Sequence, residues 1–164
     1  MNSSRTYRSL RLLLIENDAD DALLVHAALS AMRDESAASF ELIHVLHTNR
    51  LSTALQRLAK GGIDAVLMGL SRPDGQGTPA SRIVQAEAPT VPLVVLARHE
   101  QDLPGCAARR DSAEEYLHKD QLDGSTLSRA LHRAIERQHV RMTLERLERD
   151  TRVWDAREEA SAPR

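Results

Sequence analysis

Short apolar runs alternate along the chain with stretches in which apolar residues recur at helical spacing. Two runs, Arg11–Glu16 and Ala65–Met68, are almost wholly apolar and bounded by polar residues, as is typical of strands buried on both faces. Three further runs predict strands: Phe40–Leu46, Pro92–Ala97 and Glu115–His118. Because parallel neighbours need long crossover connections, strands that alternate with helices predict a parallel sheet covered on both faces.

Helical spacing fills the segments between these strands. The acidic stretch 17–21 supplies caps and first-turn negative charge for a helix whose predicted apolar positions are Leu23, Leu24, Ala27, Ala28 and Met32. A second helix is predicted to begin after a cap at Thr48 or Asn49, and a third to run from Thr78 and Pro79 to about Ala88. A weaker pattern predicts a helix over Asp102 to Arg110. This order of elements fits an α/β fold of the flavodoxin-like (βα)5 class, a doubly wound sheet with strand order 2-1-3-4-5.

The last predicted helix begins near Asp123 or Ser125 and meets no breaker before Pro163. Its first turns would cover the sheet with Leu127, Leu131, Ala134 and Ile135. Beyond them the spacing becomes 4-3-4-3, the rhythm of a coiled-coil seam, at Val140, Leu144, Leu147, Thr151 and Trp154. A helix to Ala156 would be about 48 Å long, more than a compact domain covers. We expect a homodimer with the seams parallel; the alternative is an unpaired tail.

These patterns divide the chain into four parts. They are a flexible leader (1–9), one domain (10–137), a helical coiled-coil extension (138–156) and a flexible tail (157–164).

Composition narrows the class of protein. The formal net charge of −2 lacks the basic surplus of a nucleic-acid binder. The single cysteine, Cys106, excludes an internal disulfide framework and fits a reducing compartment. No apolar run is long enough to span a bilayer, and the amino terminus lacks a signal-peptide core. We therefore expect a cytoplasmic protein that binds neither nucleic acid nor membrane.

The carboxyl end of the central strand is the place where an open parallel sheet would bind a ligand. There the chain reads Gly69-Leu-Ser-Arg-Pro-Asp-Gly-Gln-Gly77. Together with Leu-Leu-Ile-Glu-Asn-Asp-Ala-Asp-Asp near the first strand and Tyr-Leu-His-Lys-Asp-Gln-Leu-Asp-Gly at the fifth, this segment resembles the receiver domain of two-component response regulators. The resemblance covers about Leu10 to Arg137. It implies a chemotaxis-regulator-like fold and partners such as a histidine kinase or an effector domain.

The resemblance also assigns roles to positions, and several of them carry the wrong residue. Gly69 stands where a receiver has the aspartate that accepts a phosphoryl group, and a glycine has no side chain to phosphorylate. Ala97 stands where a Thr or Ser hydroxyl binds the phosphoryl oxygen. Glu16 and Asn17 match the two acidic residues that hold Mg²⁺ in a receiver. Asn17 carries no charge and Gly69 offers no carboxylate, so two of the usual anionic ligands are missing. We therefore expect weak or no metal binding and no cofactor.

Two receiver residues remain. Lys119 matches the lysine that pairs with the acceptor carboxylate, and we expect it to form a salt bridge with Glu16 or Asp18 instead. Tyr116 matches the aromatic residue that switches rotamers, and we expect it to be a fixed packing or interface residue.

The sequence therefore predicts a degenerate receiver without catalytic residues. We expect a phosphorylation-independent module that binds proteins and dimerises in bacterial signal transduction, and that is not an enzyme. Two alternatives stay open. One is a regulator phosphorylated on another carboxylate such as Asp18 or Asp74, with Ser71 a weaker candidate. The other is a fold that binds a cyclic dinucleotide through arginines such as Arg98, Arg109 or Arg110.

Overall fold

The structure, a computed structural model, describes residues 7–34, 40–70, 80–98 and 115–161. In these ranges five strands form one sheet in the order β2-β1-β3-β4-β5, with every pair of neighbours parallel. The strands are β1 Tyr7–Ile15, β2 Phe40–Thr48, β3 Ala65–Leu70, β4 Leu93–Ala97 and β5 Glu115–His118. The predicted flavodoxin-like fold and strand order are confirmed.

Four α-helices lie within the described ranges. They are α1 Ala19–Asp34, α2 Leu51–Ala59, α3 Ala80–Glu87 and α4 Gly124–Ser161, and a 3-10 turn at Lys119–Gln121 links β5 to α4. The predicted helix over Asp102 to Arg110, and the predicted start of α3 at Thr78 and Pro79, lie outside the described residues. None of these helices is both long enough and apolar enough to cross a membrane.

Each face of the sheet has its own core. On one face α1 and α4 cover β1, β3 and β4, with Leu12, Leu67 and Leu96 fully buried beneath them. On the other face α2 and α3 cover a second cluster around Val66 and Val95. The chain has few aromatic residues, so branched aliphatic side chains fill both cores.

The apolar stripe of α1 differs from the prediction. Leu23 is 68% exposed, Leu24 39%, and Ala27 is also exposed. Two predicted positions, Ala28 and Met32, are buried, and they share the buried face with Asp21, Ala22, Val25 and Leu29. Both stripes have helical spacing, and the sequence could not show which of them would face the sheet. The correction matters because the true stripe begins with a carboxylate.

Two strands also differ from their predicted limits. β1 begins at Tyr7, inside the predicted leader, because parallel pairing with β2 extends from Tyr7 and Phe40 to Ile15 and Thr48. β2 continues beyond its predicted end at Leu46 to Thr48, and its Leu42 and Leu46 side chains are exposed, since β2 lies at the edge of the sheet.

Loop residues set the limits of α2. Arg50 precedes the helix without a side-chain cap, so neither Thr48 nor Asn49 caps it as predicted. After the helix, Gly61 and Gly62 have positive φ values of 74° and 80°, which glycine adopts without strain. They turn the chain into β3.

Helix α4 is 38 residues long, or about 57 Å at about 1.5 Å per residue. Its start packs closely on α1, where a Cβ on Gly124 would lie 2.8 Å from the backbone nitrogen of Met32. The predicted contact residues Leu127, Leu131 and Ala134 are fully buried. Burial ends at Gln138, whose side-chain Nε2 donates to the Pro89 carbonyl at 3.0 Å. The helix continues to Ser161, as expected where no breaker intervenes. Residues 157–161, which were predicted to be a flexible tail, are therefore helical.

Candidate functional site

Four residues from four strand ends meet at the carboxyl edge of the sheet. Glu16 follows β1, Gly69 lies near the end of β3, Ala97 ends β4 and Lys119 follows β5. The register places Leu70 beside Ala97, and Ala97 beside His118. Parallel pairing therefore brings together the positions that the sequence had marked as a degenerate receiver site.

The carboxylate of Glu16 occupies the space where a side chain at position 69 would begin. A Cβ built on Gly69 would lie 1.7 Å from Oε2 of Glu16 and 2.6 Å from its carboxyl carbon. These distances are far below van der Waals contact, so no side chain fits at position 69 while Glu16 stays in place. The glutamate carboxylate thus fills the space that a side chain at position 69 would need.

Both oxygens of this buried carboxylate have hydrogen-bond partners. Oε1 accepts a hydrogen bond from the backbone N–H of Asp18 at 3.0 Å. Oε2 accepts one from the Lys119 ammonium at 2.8 Å, and Glu16 is only 2% exposed. Buried charges need such partners, and this arrangement fixes the position of the glutamate.

Lys119 also binds a second carboxylate. Its Nζ lies 2.5 Å from Oδ2 of Asp21, in the first turn of α1, and the lysine is itself 2% exposed. We predicted Glu16 or Asp18 as the partner of this lysine. The structure pairs it with Glu16 and, in place of Asp18, with Asp21.

Asp18 has another role. Its Oδ1 accepts the backbone N–H of Asp21 at 3.0 Å, which caps the amino terminus of α1.

Arg98 completes the cluster from the end of β4. Its guanidinium donates to Oδ1 of Asp21, with the arginine half exposed and the aspartate nearly buried. Burial by itself raises the pKa of Asp21. The hydrogen bond and positive charge of Lys119, with the charge of Arg98, outweigh it, so the pKa lies below its usual value. The pKa of Arg98 is raised in turn, chiefly by the negative charge of Asp21.

The residues present do not fit a receiver's Mg²⁺ site. Of the two matching positions after β1, Glu16 points into the ion-pair cluster while Asn17 is exposed and carries no charge. Gly69 contributes no oxygen from a side chain. Among the described residues, no group of three or more His, Cys, Asp or Glu side chains is arranged to hold a metal ion.

Two more positions were matched to receiver residues. Ala97 is fully buried, and its methyl group offers no hydrogen bond to an anion. Tyr116 is partly buried and packs against the core beneath α2 and α3. Several other residues named from the sequence lie outside the described ranges: Ser71, Asp74, Cys106, Arg109 and Arg110.

Sequence reasoning missed the part that Asp21 plays. It treated the stretch 17–21 as caps and solvated charge, whereas Asp21 is a buried ion-pair partner. A signal was present: Asp21 lies four residues before Val25 and eight before Leu29, so it continues the stripe that proves to be buried.

The predicted seam residues are exposed on the second half of α4. Val140, Leu144 and Leu147 are each more than half exposed, and Trp154 is 67% exposed. They lie beyond Gln138, where the helix leaves the domain.

Solved structures share this architecture. A response regulator receiver domain protein from Clostridium thermocellum matches with a TM-score of 0.62 and 20% identity, over 80% of this chain and 98% of that one. The chain has a receiver-like fold. The receiver domain of a sensor histidine kinase from Pseudomonas aeruginosa PAO1, with magnesium coordinated in its active-site cleft, matches with a TM-score of 0.58 and 22% identity over 78% and 98% of the two chains. An adenylate cyclase structure from Rhodopirellula baltica matches with a TM-score of 0.62 and 19% identity over 86% and 98%.

No profile of a known protein family matches the sequence, and no curated protein matches it. At these identities the structural likeness concerns the fold, and the function has to be argued from the site.

Proposed function

We propose that the chain is a phosphorylation-independent receiver-like module of bacterial two-component signal transduction. It acts in the cytoplasm by binding proteins such as a histidine kinase or an effector domain and by dimerising, and it is not an enzyme. The observation that carries the proposal is the carboxylate of Glu16 in the space above Gly69, held there by Lys119.

The geometry of the site supports the absence of phosphoryl transfer. An acceptor must offer an oxygen to the incoming phosphorus, next to groups that neutralise its charge. The carboxylate nearest to the acceptor's place, that of Glu16, is buried with both oxygens bonded. Lys119, the cation that would meet a phosphoryl group, is shared between two carboxylates.

The geometry of the site gives little support to the two alternatives, phosphorylation of another carboxylate and binding of a cyclic dinucleotide. Asp18 caps α1 with its carboxylate, so it is committed to the helix terminus. The guanidinium of Arg98 already forms an ion pair with Asp21, so fewer of its N–H groups are available to bind a nucleotide phosphate. One similar structure is named as an adenylate cyclase, so the absence of catalysis has to be tested directly on this chain.

Acetyl phosphate with Mg²⁺, followed by intact-mass spectrometry, is the direct test. We expect no added phosphoryl group, and no thermal stabilisation by beryllofluoride with Mg²⁺. An added phosphoryl group mapped by peptide analysis to Glu16, Asp18 or Asp74 would refute the proposal. Glu16→Gln is the control variant, because it keeps the shape of the side chain and cannot form the acyl phosphate.

The exposed seam of α4 supports dimerisation. Val140, Leu144, Leu147 and Trp154 would each contribute on the order of 1.5 to 3 kcal/mol if buried against a partner. Association also costs several kcal/mol, so a contact through these residues alone would be marginal. Light scattering at tens of micromolar should show a dimer, and a monomer there would contradict this part of the proposal.

A further inference from the structure

An open groove runs along α4 where the helix leaves the domain. It encloses about 430 Å³ and is lined by Arg133, Glu136, Arg137, Val140, Arg141 and Leu144. The residues that pack on the domain, such as Leu131 and Gln138, are the buried ones on the same turns, so the groove lies on an outward side of the helix.

The groove continues the seam toward the domain. Counting back from Val140 in the same heptad rhythm, Arg137 and Arg133 are the preceding seam positions, and counting forward from Trp154 the next one is Glu158. Glu136 and Arg141 flank the seam. The contact surface thus contains charged residues at both ends and uncharged residues, apolar except for Thr151, in the middle.

These charges disfavour the parallel arrangement that the apolar positions alone suggested. In a parallel dimer each seam residue faces its own copy, which would place Arg133, Arg137 and Glu158 against like charges. Among the flanking positions Asp150 would face Asp155 of the second copy, and only Glu136 and Arg141 would attract each other.

We propose that the second copy of this chain docks antiparallel in the groove, with Leu144 of one copy facing Leu147 of the other. The inference rests on the proposed dimerisation and adds its orientation. In this register Val140 faces Thr151 and Arg133 faces Glu158. The flanking pairs become Arg141 with Glu148 and Glu136 with Arg157, so both pairs attract, and symmetry doubles each.

In this register Trp154 of one copy lies in the groove of the other. It faces Arg137 of the other copy, beside Val140 and Arg141. The aliphatic stems of arginine cover an indole well, and a guanidinium over the ring adds a cation–π attraction. Arg133 and Arg137 each lie 3.0 Å from Oε1 of Glu115, at the start of β5, which holds the two guanidinium groups at the groove's edge.

A charge swap on the full chain separates the two orientations. Arg141→Glu should weaken the dimer in either orientation, because it reverses the charge in two symmetry-related pairs. If each reversed pair costs as much as an ion pair on a helix surface, the dimer dissociation constant rises roughly tenfold at low salt. Adding Glu148→Arg restores the affinity of an antiparallel dimer, because residue 148 is the facing residue. Adding Glu136→Arg instead restores only a parallel dimer. Arg149→Glu, on the side of the helix away from the seam, is the matched control and should change nothing.

A distance measurement gives an independent answer. A spin label on Glu159→Cys, with Cys106→Ser to remove the native thiol, should lie about 40 Å from its copy in the antiparallel dimer, since some 27 residues of helix separate them at about 1.5 Å each. In a parallel dimer the labels would lie within about 20 Å of each other, given axes about 10 Å apart.

Rescue by Glu148→Arg together with the long distance supports the antiparallel groove. Rescue by Glu136→Arg, or the short distance, overturns it while leaving dimerisation intact. A chain that is monomeric at tens of micromolar overturns both, so the two failures are distinguishable.

Discussion

Replacing Gly69 by alanine tests the central feature of the site. The new methyl carbon would lie 1.7 Å from Oε2 of Glu16, so the glutamate would have to move. Moving it breaks the bond to Lys119 at 2.8 Å and the bond from the Asp18 N–H at 3.0 Å. We expect the free energy of unfolding to fall by about 2 to 4 kcal/mol, as when a buried ion pair is disturbed.

The same substitution should have the opposite sign once Glu16 is removed. In a Glu16→Ala background the space above Gly69 is empty of the carboxylate. Alanine is then favoured over glycine in a strand by about 0.5 to 1 kcal/mol. The two substitutions should therefore couple by about 2.5 to 5 kcal/mol, at or above the upper end of the range found for residues in contact.

Urea unfolding of the four proteins at one fixed concentration measures this coupling, since the stability of a dimer depends on concentration. If Gly69→Ala left stability unchanged or raised it in the native background, Glu16 would not fill that space. If the two changes were additive, the close contact would be wrong even though each change had an effect.

Three further outcomes are expected. Because the pKa of Asp21 is lowered in the folded protein, its contribution to stability is present above its unfolded pKa of about 3.9 and is lost as the pH falls through the lower folded pKa. Asp21→Asn should remove that part of the acid dependence, measured by thermal unfolding at a series of pH values. An unchanged profile would contradict the assignment. Gly69→Asp alone should restore little signalling, since Ala97 cannot report a phosphoryl group and Glu16 already holds Lys119; full switching in a kinase-coupled reporter would show that account to be mistaken. Truncation after Arg137 should leave a folded domain of lower oligomeric order, checked by circular dichroism and light scattering, and equally tight dimerisation by the shortened chain would exclude the seam as the interface.

Much of the candidate site was accessible from the sequence because parallel pairing fixes which residues meet. The resemblance to receivers named Glu16, Gly69, Ala97 and Lys119, and the strand assignments place all four at one edge of the sheet, because residues that follow parallel strands share that edge. The prediction that no acceptor stands at position 69 likewise came from the resemblance and from the glycine, without a structure.

Local pattern predicted the alternation of strands and helices, and with it the fold class and the run of the last helix, since these depend on periodicity and on breakers within a few residues. The strand order was predicted only as the best match to a flavodoxin-like fold, and pairing between distant strands in the structure confirms it. Tertiary structure alone decided which of two helical stripes on α1 turned inward, and with it that Asp21 became a partner of Lys119. It also decided where the Glu16 carboxylate lies. That position depends on a glycine 53 residues away leaving space and on a lysine 103 residues away supplying charge, and no local pattern in the chain encodes a contact made across three strands.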